Sequence, residues 1–293
     1  MKYRIVHRTE YRYERPVSAC YNEARLLPRE FSRQVCMSSQ LSVEPAPSDY
    51  RERVDFFGNR ISHFAIHQPH EQLVVTATSE IEVEAERPQL AFADDMPWES
   101  ARERLYHEGS RDDLEARQYV LDSPLVVTTP ALGDYARTSF GEGQSLLAAV
   151  HDLMERIHHD FTYDPGFTTI STPLSDVFEH RRGVCQDFAH LAIACLRSQG
   201  IPARYVSGYV ETVPPPGQER LIGADASHAW FSVYLPERGW LDFDPTNNQM
   251  PMDRHVTVAW GRDFADVSPL KGVLFGGGEH ELVVSVDVAP QAA

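Results

Sequence analysis

Residues 183–202, GVCQDFAHLAIACLRSQGIP, contain the strongest indication of the fold of this chain. It predicts a helix from about Cys185 to Gln199, and that helix is apolar on most of its sides. The helix should end there because Gly200 and then Pro202 follow, a strong stop signal. A helix so apolar is usually buried in the centre of a domain. The sequence therefore predicts a central helix with a cysteine at its first position.

Strands are predicted after this helix, at residues 203–211, 228–235 and 240–244, from β-branched residues and period-two alternation. The second and third strands are joined by residues 236–239, a short connection typical of a hairpin. The loop through residues 214–226 is long and irregular, which is more often functional than idle. Helix and antiparallel strands together indicate an α+β domain.

The first part of the chain reads as a separate antiparallel β module, residues 1–88. Tyr3, Ile5 and His7 alternate with more polar neighbours, and residues 71–86 form a longer strand-like run. A boundary is predicted near residues 88–97, and a second domain spans 97–293. Within it, apolar residues at helical spacing indicate helices near Trp98 and after Ser145, and a last strand at 281–288.

Charge and composition exclude several function classes. The chain has 293 residues with 43 acidic and 27 basic side chains, a formal net charge of −16. Nucleic acids and anionic membrane surfaces are unfavourable partners for such a chain. It contains neither an apolar run long enough for a membrane helix nor a signal-peptide pattern, so we expect a cytoplasmic protein. The oligomeric state is not predicted.

The four cysteines differ in what their positions indicate. Their spacing matches neither a zinc-ligand pair nor a needed disulfide framework, so no metal and no other cofactor is predicted. Cys185 opens the central helix, where unpaired amides and the helix dipole stabilise a nucleophilic thiolate. Cys195, in the middle of the same helix, fits an ordinary buried residue. The positions of Cys20 and Cys36 indicate no particular function.

A nucleophilic cysteine needs a base within hydrogen-bonding reach. His190 lies five residues further along the helix, about 140° round it, so it cannot readily face Cys185. His228 is better placed, because it begins a strand directly after the irregular loop. Trp230 lies on the same strand face and could wall a binding site, although ordinary packing explains it equally well. His228 is therefore the predicted base.

The base needs an acceptor for its second ring nitrogen. The next strand contains WLDFDPT, residues 240–246, in which Asp242 and Asp244 face the same side. In an antiparallel pair either carboxylate could lie opposite His228. Spacing alone leaves the choice between them open.

These motifs together resemble the core of the transglutaminase-like superfamily, and more narrowly the bacterial transglutaminase-like proteins regarded as cysteine proteases. The resemblance covers nearly the whole chain, because the N-terminal part resembles the β module that precedes the core in that family. The residues that carry it are Gly183-Val-Cys-Gln-Asp187, Arg204-Tyr-Val-Ser-Gly-Tyr209, His228-Ala-Trp230, Asp244-Pro-Thr246, and, in the N-terminal part, His7, Thr9, Tyr11, Leu27-Pro-Arg29, Asp55 and Gly58-Asn59.

The resemblance implies a papain-like α+β core, with the cysteine helix packed against an antiparallel sheet. It implies Cys185 as nucleophile, His228 as base and Asp244, rather than Asp242, as the orienting group. Transglutaminases use a tryptophan upstream of the cysteine to bind the oxyanion, but this sequence has none between Trp98 and Trp230. The backbone amide of Cys185 is a candidate donor, with a second from around Ser171 or Gln186.

The predicted reaction is acyl transfer from an amide through a thioester. Water as acceptor gives a peptide or isopeptide hydrolase, which we rank first because the family's oxyanion tryptophan is missing. An amine as acceptor gives a protein-glutamine γ-glutamyltransferase. The partner is then a protein or peptide that supplies an amide or glutamine donor, in contact with Trp230 and Gln186. A catalytically silent scaffold is the third alternative, and the complete set of three catalytic residue types argues against it.

Overall fold

The computed structural model describes residues 1–84, 96–107, 110–212 and 227–291. The chain begins with long antiparallel strands in the part predicted to be a β module. The alternation read at its start is confirmed, because Tyr3, Ile5 and His7 are all buried. The strands are β1 (Lys2–Ala24), β2 (Gln34–Glu44), β3 (Asp49–Val54), β4 (Arg60–Ile66) and β5 (His70–Val83).

Helices and a second set of strands follow. They are α1 (Trp98–His107), α2 (Arg111–Arg117), α3 (Pro130–Arg137), α4 (Leu146–Asp160), β6 (Thr162–Tyr163), α5 (Leu174–His180), β7 (Arg182–Gly183), α6 (Cys185–Ser198), β8 (Ala203–Val210), β9 (Ser227–Leu235), β10 (Gly239–Phe243), β11 (His255–Gly261), α7 (Phe264–Val267), β12 (Leu270–Gly276) and β13 (His280–Gln291). The predicted cap of α4 is confirmed, since the Ser145 side chain accepts a hydrogen bond from the Ala148 amide.

The N-terminal sheet is built around β1. Among the described residues its strands run in the order β2-β5-β1-β4-β3, and β12 and β13 also pair with β1. The first half of β1 lies between β5 and β13, and its second half pairs with β4 and β12. The strand predicted at 281–288 therefore belongs to the N-terminal sheet, although it lies at the other end of the sequence.

The central helix and its sheet form the second layer of the molecule. The strands β10-β9-β8-β11 make an antiparallel sheet, and α6 packs against β8 and β9. The side chains of α6 from Phe188 to Leu196 are buried. The expected α+β fold, with a buried cysteine helix on an antiparallel sheet after an antiparallel β module, is confirmed.

Two predicted features lie mostly or wholly outside the described residues. They are the irregular loop at 214–226 and most of the boundary at 88–97. None of the helices in the described ranges combines the length and apolar character that a membrane span requires.

Candidate active site

Cys185 is the first residue of α6, as the sequence predicts. The helix start is held by Asp187, whose carboxylate accepts hydrogen bonds from the Val184 amide at 2.8 Å and the Thr168 hydroxyl at 2.7 Å. Glycine is required at position 183, because a Cβ there would lie 2.8 Å from that carboxylate. Burial raises the pKa of Asp187, and these two hydrogen bonds oppose the rise.

The first backbone amides of α6 have no hydrogen-bond acceptor within the helix. The first hydrogen bond across a helical turn runs from the Phe188 amide to the Val184 carbonyl, at 3.1 Å. The amides of Cys185 and Gln186 precede it, so they have no acceptor within the helix. Helix starts of this kind stabilise negative charge. The half-buried Cys185 side chain lies at this helix start, where negative charge that develops on a substrate oxygen is favoured.

His228 connects Cys185 to Asp244. Its Nε2 lies 2.8 Å from Asp244 Oδ2, and the Cys185 thiol lies close enough to the imidazole to raise its pKa. An ionised carboxylate only accepts hydrogen bonds, so Nε2 carries a proton. Nδ1 is then the ring nitrogen left for the sulfur. The three residues named from the sequence therefore meet in the order thiol, imidazole, carboxylate.

Asp244 is the centre of a larger hydrogen-bond network, and its side chain is fully buried. Oδ2 also accepts from His255 Nε2 at 3.1 Å and from Asn247 Nδ2 at 2.7 Å. Oδ1 accepts from the backbone amides of Thr246 and Asn247, at 3.0 and 3.2 Å. A buried carboxylate with this many donors is held both ionised and in one orientation.

The electrostatics favour a charged imidazole. Burial acts against the charge on His228, but the hydrogen bonds to Asp244 and Cys185 outweigh it and raise the pKa of His228 to about 10. Burial also acts against the Asp244 charge, yet the bonds from His228 and His255 hold its pKa far below the usual range. For His255 the effect of burial exceeds that of the hydrogen bond to Asp244, and the pKa is lowered. At neutral pH one of the two histidines is thus charged and the other neutral.

The structure separates the two aspartates that spacing left open. Asp242 pairs with Ser232 across the strands, where it accepts from the Ser232 hydroxyl at 2.6 Å and lies 3.3 Å from the Arg33 guanidinium. Asp244 lies beyond the end of β10 and reaches His228. The geometry therefore agrees with the resemblance in bringing Asp244, not Asp242, to the imidazole.

The other predicted site residues have different surroundings. Trp230 is fully buried, and its ring centroid lies 6.1 Å from that of His228 and 5.2 Å from that of His255. It packs beside the imidazole, so its contact with a substrate stays a prediction. Gln186 is half-buried in the first turn of α6, and Ser171 is exposed. Their roles as oxyanion donors also stay predictions.

His190 lies away from Cys185, as its position on the helix predicts. Its Nε2 accepts a hydrogen bond from the Phe264 amide at 3.1 Å, and its ring contacts Tyr205. Burial lowers the pKa of His190. It is therefore a structural histidine.

Sequence reasoning missed His255 and Asn247. A usable signal was present: His255 begins the strand HVTVAWG in the same way that His228 begins its own strand, and Asn247 follows Asp244 by three residues, the spacing of an Asx-type turn. Both residues are far from His228 in the sequence, so their proximity to it in space was not predicted.

One cluster among the described residues has the composition of a metal site. His228, Asp244 and His255 each offer a ligand atom, and these atoms lie within 4.8 Å of one another. The same nitrogen atoms donate to Asp244, so a bound metal would have to replace these hydrogen bonds. His67 and His70 have ligand-like spacing in the sequence, but the sequence predicts them to be surface residues and not metal ligands. His67 is exposed, but for His70 the expectation is wrong, since it is buried against Cys20.

The remaining cysteines are free thiols. Burial raises the pKa of Cys195 to about 12, and it also raises the pKa of Cys20. Cys36 is half-buried in β2. Of these, the two buried thiols are the least suited to act as nucleophiles.

Comparisons with known proteins agree with this architecture. Residues 3–82 match the bacterial transglutaminase-like N-terminal region, and residues 134–245 match the transglutaminase-like superfamily core. An uncharacterised protein of Mycobacterium tuberculosis is 44% identical over 99% of this chain and 93% of its own length. A protein-glutamine gamma-glutamyltransferase of Pseudomonas aeruginosa is 35% identical over 41% of this chain but only 18% of its own.

Among solved structures, one from Cytophaga hutchinsonii described as a "Putative Cysteine Protease" superposes with a TM-score of 0.75. It covers 100% of this chain and 92% of its own, at 22% sequence identity, which is a likeness of fold. The matches to the N-terminal region and to the core, together with the full-length relative, lead to one conclusion. The chain belongs to the transglutaminase-like superfamily.

Proposed function

We propose that this protein is a cysteine-dependent enzyme that cleaves peptide or isopeptide amides through a thioester on Cys185. The observation that carries the proposal is the connected set of Cys185, His228 and Asp244, with the thiol at the first position of a buried helix. An imidazole bonded to a thiol on one side and to a buried carboxylate on the other is the arrangement that nucleophilic catalysis by cysteine requires.

In the first step the Cys185 sulfur attacks the amide carbonyl carbon. The carbonyl oxygen becomes an oxyanion, and the amides of Cys185 and Gln186, which have no acceptor within α6, would donate to it. The His228 imidazolium then donates its proton to the departing nitrogen. The C–N bond breaks, the amine leaves, and a thioester to Cys185 remains.

In the second step an acceptor attacks the thioester. For hydrolysis, neutral His228 removes a proton from water, the new C–O bond forms, and the C–S bond breaks. The acid product leaves, and the Cys185 thiolate and the His228 imidazolium are restored. Asp244 contributes throughout by holding the imidazole with Nε2 protonated, so that Nδ1 can exchange protons with the sulfur, the amine and the water.

A γ-glutamyltransferase is the second candidate. It is favoured by the similarity to the Pseudomonas aeruginosa enzyme, whose matched segment covers 41% of this chain. The chemistry differs only in the acceptor, because a primary amine in place of water converts the thioester into a new amide.

One experiment separates the two acceptors. The protein is incubated with a glutamine-containing protein and a fluorescent primary amine, and amine incorporation, ammonia release and peptide cleavage are measured together. Hydrolysis predicts cleavage or ammonia without incorporation, and transfer predicts incorporation. Cys185→Ala should abolish every product. Activity that persists in this variant would refute both candidates.

A further inference from the structure

A cavity lies on the sheet face opposite to α6. Its volume is about 830 Å³, and residues of the N-terminal sheet region and of β8, β10 and β11 line it. Tyr205 of β8 contacts His190 of α6, so its neighbour Arg204 points to the opposite face, into this cavity. Natural small-molecule sites have volumes of this order, roughly 300–1,000 Å³.

Arg204 is a buried cation without a hydrogen-bond acceptor. It is only 7% exposed, its Nε has no partner, and no residue in the described ranges accepts a hydrogen bond from its guanidinium. The nearby carboxylate of Asp242 bonds to Ser232 and Arg33 instead. Burial lowers the pKa of Arg204 to about 10, so the group is still charged at neutral pH. A buried charge without such a partner is costly, and native structures usually supply one.

Aromatic rings form the walls around this cation. The Arg204 guanidinium carbon lies 3.7 Å from the ring centroid of Trp260 and 4.2 Å from that of Trp240. Tyr119 lines the same space and packs edge-on against Trp240. Flat apolar walls beside a cation favour a ligand with a planar body and a negative end.

A second buried arginine strengthens the case. Arg29 stacks on Trp260 with its guanidinium carbon 3.0 Å from the ring centroid, and its Nε also has no acceptor. Burial, and then the repulsion from Arg204, lower the pKa of Arg29 to about 9. Its NH1 is satisfied by Asn59 at 2.6 Å and by the Phe57 carbonyl at 3.1 Å. An anion in the cavity would relieve this repulsion between like charges.

We propose that the cavity binds a small planar carboxylate, with the carboxylate on Arg204 and the flat body beside Tyr119 and Trp240. A guanidinium can donate two parallel hydrogen bonds to a carboxylate. The site is separate from the acyl-transfer centre. Arg204 pairs with Ser232, which is roughly 13 Å along β9 from His228 at about 3.3 Å per residue.

Calorimetric titration of the full chain with benzoate tests the proposal. Benzoate should bind saturably and change tryptophan fluorescence, and the neutral isostere benzamide should bind at least tenfold more weakly. Arg204→Met should weaken benzoate binding by roughly tenfold to hundredfold, the usual loss for charge-assisted hydrogen bonds. Arg204→Lys keeps the positive charge but not the two parallel N–H donors of the guanidinium, so an intermediate loss of benzoate affinity is expected. Arg51→Met, at an exposed arginine of β3, is the matched control.

Cys185→Ala should bind benzoate as the wild type does, which distinguishes this site from the proposed catalytic one. Circular dichroism and thermal melting establish that each variant is folded. If Arg204→Met does not fold, the comparison with wild type is made with Arg204→Lys. Equal benzoate affinity in wild type and both Arg204 variants would overturn the proposal. Binding of inorganic phosphate without binding of benzoate would also overturn it. The same holds if benzoate shows no saturable binding up to about 10 mM, a concentration that corresponds to a binding free energy of only about 3 kcal/mol.

Discussion

Replacing Asp244 by asparagine is the sharpest test of the candidate active site. The carboxylate accepts five hydrogen bonds, from two histidines, one amide side chain and two backbone amides. Asparagine presents an N–H where a carboxylate oxygen accepts. The imidazole of His228 must then turn a lone pair on Nε2 towards it and carry its proton on Nδ1, the nitrogen that faces the sulfur. A neutral imidazole in that state cannot remove a proton from the thiol.

The size of the effect follows from the electrostatics of the pair. The pKa of His228 rises from 6.5 to about 10, which corresponds to about 5 kcal/mol in favour of the imidazolium. Part of this comes from Cys185, so we do not expect the whole amount to be lost. We expect Asp244→Asn to slow alkylation of Cys185 by iodoacetamide at pH 7 at least about tenfold. On an amide substrate the expected loss in kcat is about 10³- to 10⁴-fold.

The assay is mass spectrometry of the peptide that contains Cys185, with the Cys36 peptide as an internal control. Asp244→Asn is also expected to cost about 3–5 kcal/mol of stability, so rates are compared only where circular dichroism shows a folded protein. Asp242→Asn is the matched control and should change the rate by no more than about twofold. A folded Asp244→Asn protein alkylated at the wild-type rate would contradict a role for Asp244 in orienting His228. A larger effect of Asp242→Asn would transfer the orienting role.

Three further outcomes follow from the same geometry. His255→Phe keeps an aromatic ring but removes one hydrogen-bond donor to Asp244. Alkylation of Cys185 should therefore slow about tenfold, a smaller effect than that of His228→Phe. Equal rates in wild type and His255→Phe would show that His255 does not position Asp244. Gly208→Ala should lower the free energy of unfolding by about 1–3 kcal/mol in urea titrations, because the new Cβ would lie 2.5 Å from Trp230; an unchanged midpoint would contradict the packing. The raised pKa of His228 means that its contribution to stability is complete below pH 6.5 and is lost as pH rises towards about 10, so wild type should lose more stability than Asp244→Asn between pH 7 and 10.

Chemical patterns within single elements could be read from the sequence with good accuracy. The buried helix begins at Cys185 and ends at Ser198, one residue before the predicted end. The strand that contains His228 begins at Ser227, one residue before the predicted start. Glycine and proline stops, capping residues and alternation act over a few residues, so the sequence records them directly.

The partner of the imidazole could not be chosen in this way. Asp242 and Asp244 share one side of the strand by alternation, and local physics does not distinguish them. The structure does, because β10 ends at Phe243 and the following turn holds Asp244 by its bonds to the amides of Thr246 and Asn247. The turn directs one carboxylate under His228, while the other stays in the sheet.

Local sequence patterns were sufficient to locate the helix and the strands and to name the thiol, the imidazole and the candidate carboxylates. The folded structure was needed to show that His255 bonds to the same carboxylate, that β12 and β13 pair with β1, and that Arg204 lies between two indoles. The physical reason is distance along the chain. These contacts join segments that are far apart in sequence, and their geometry depends on strand order, register and packing, which no local pattern records.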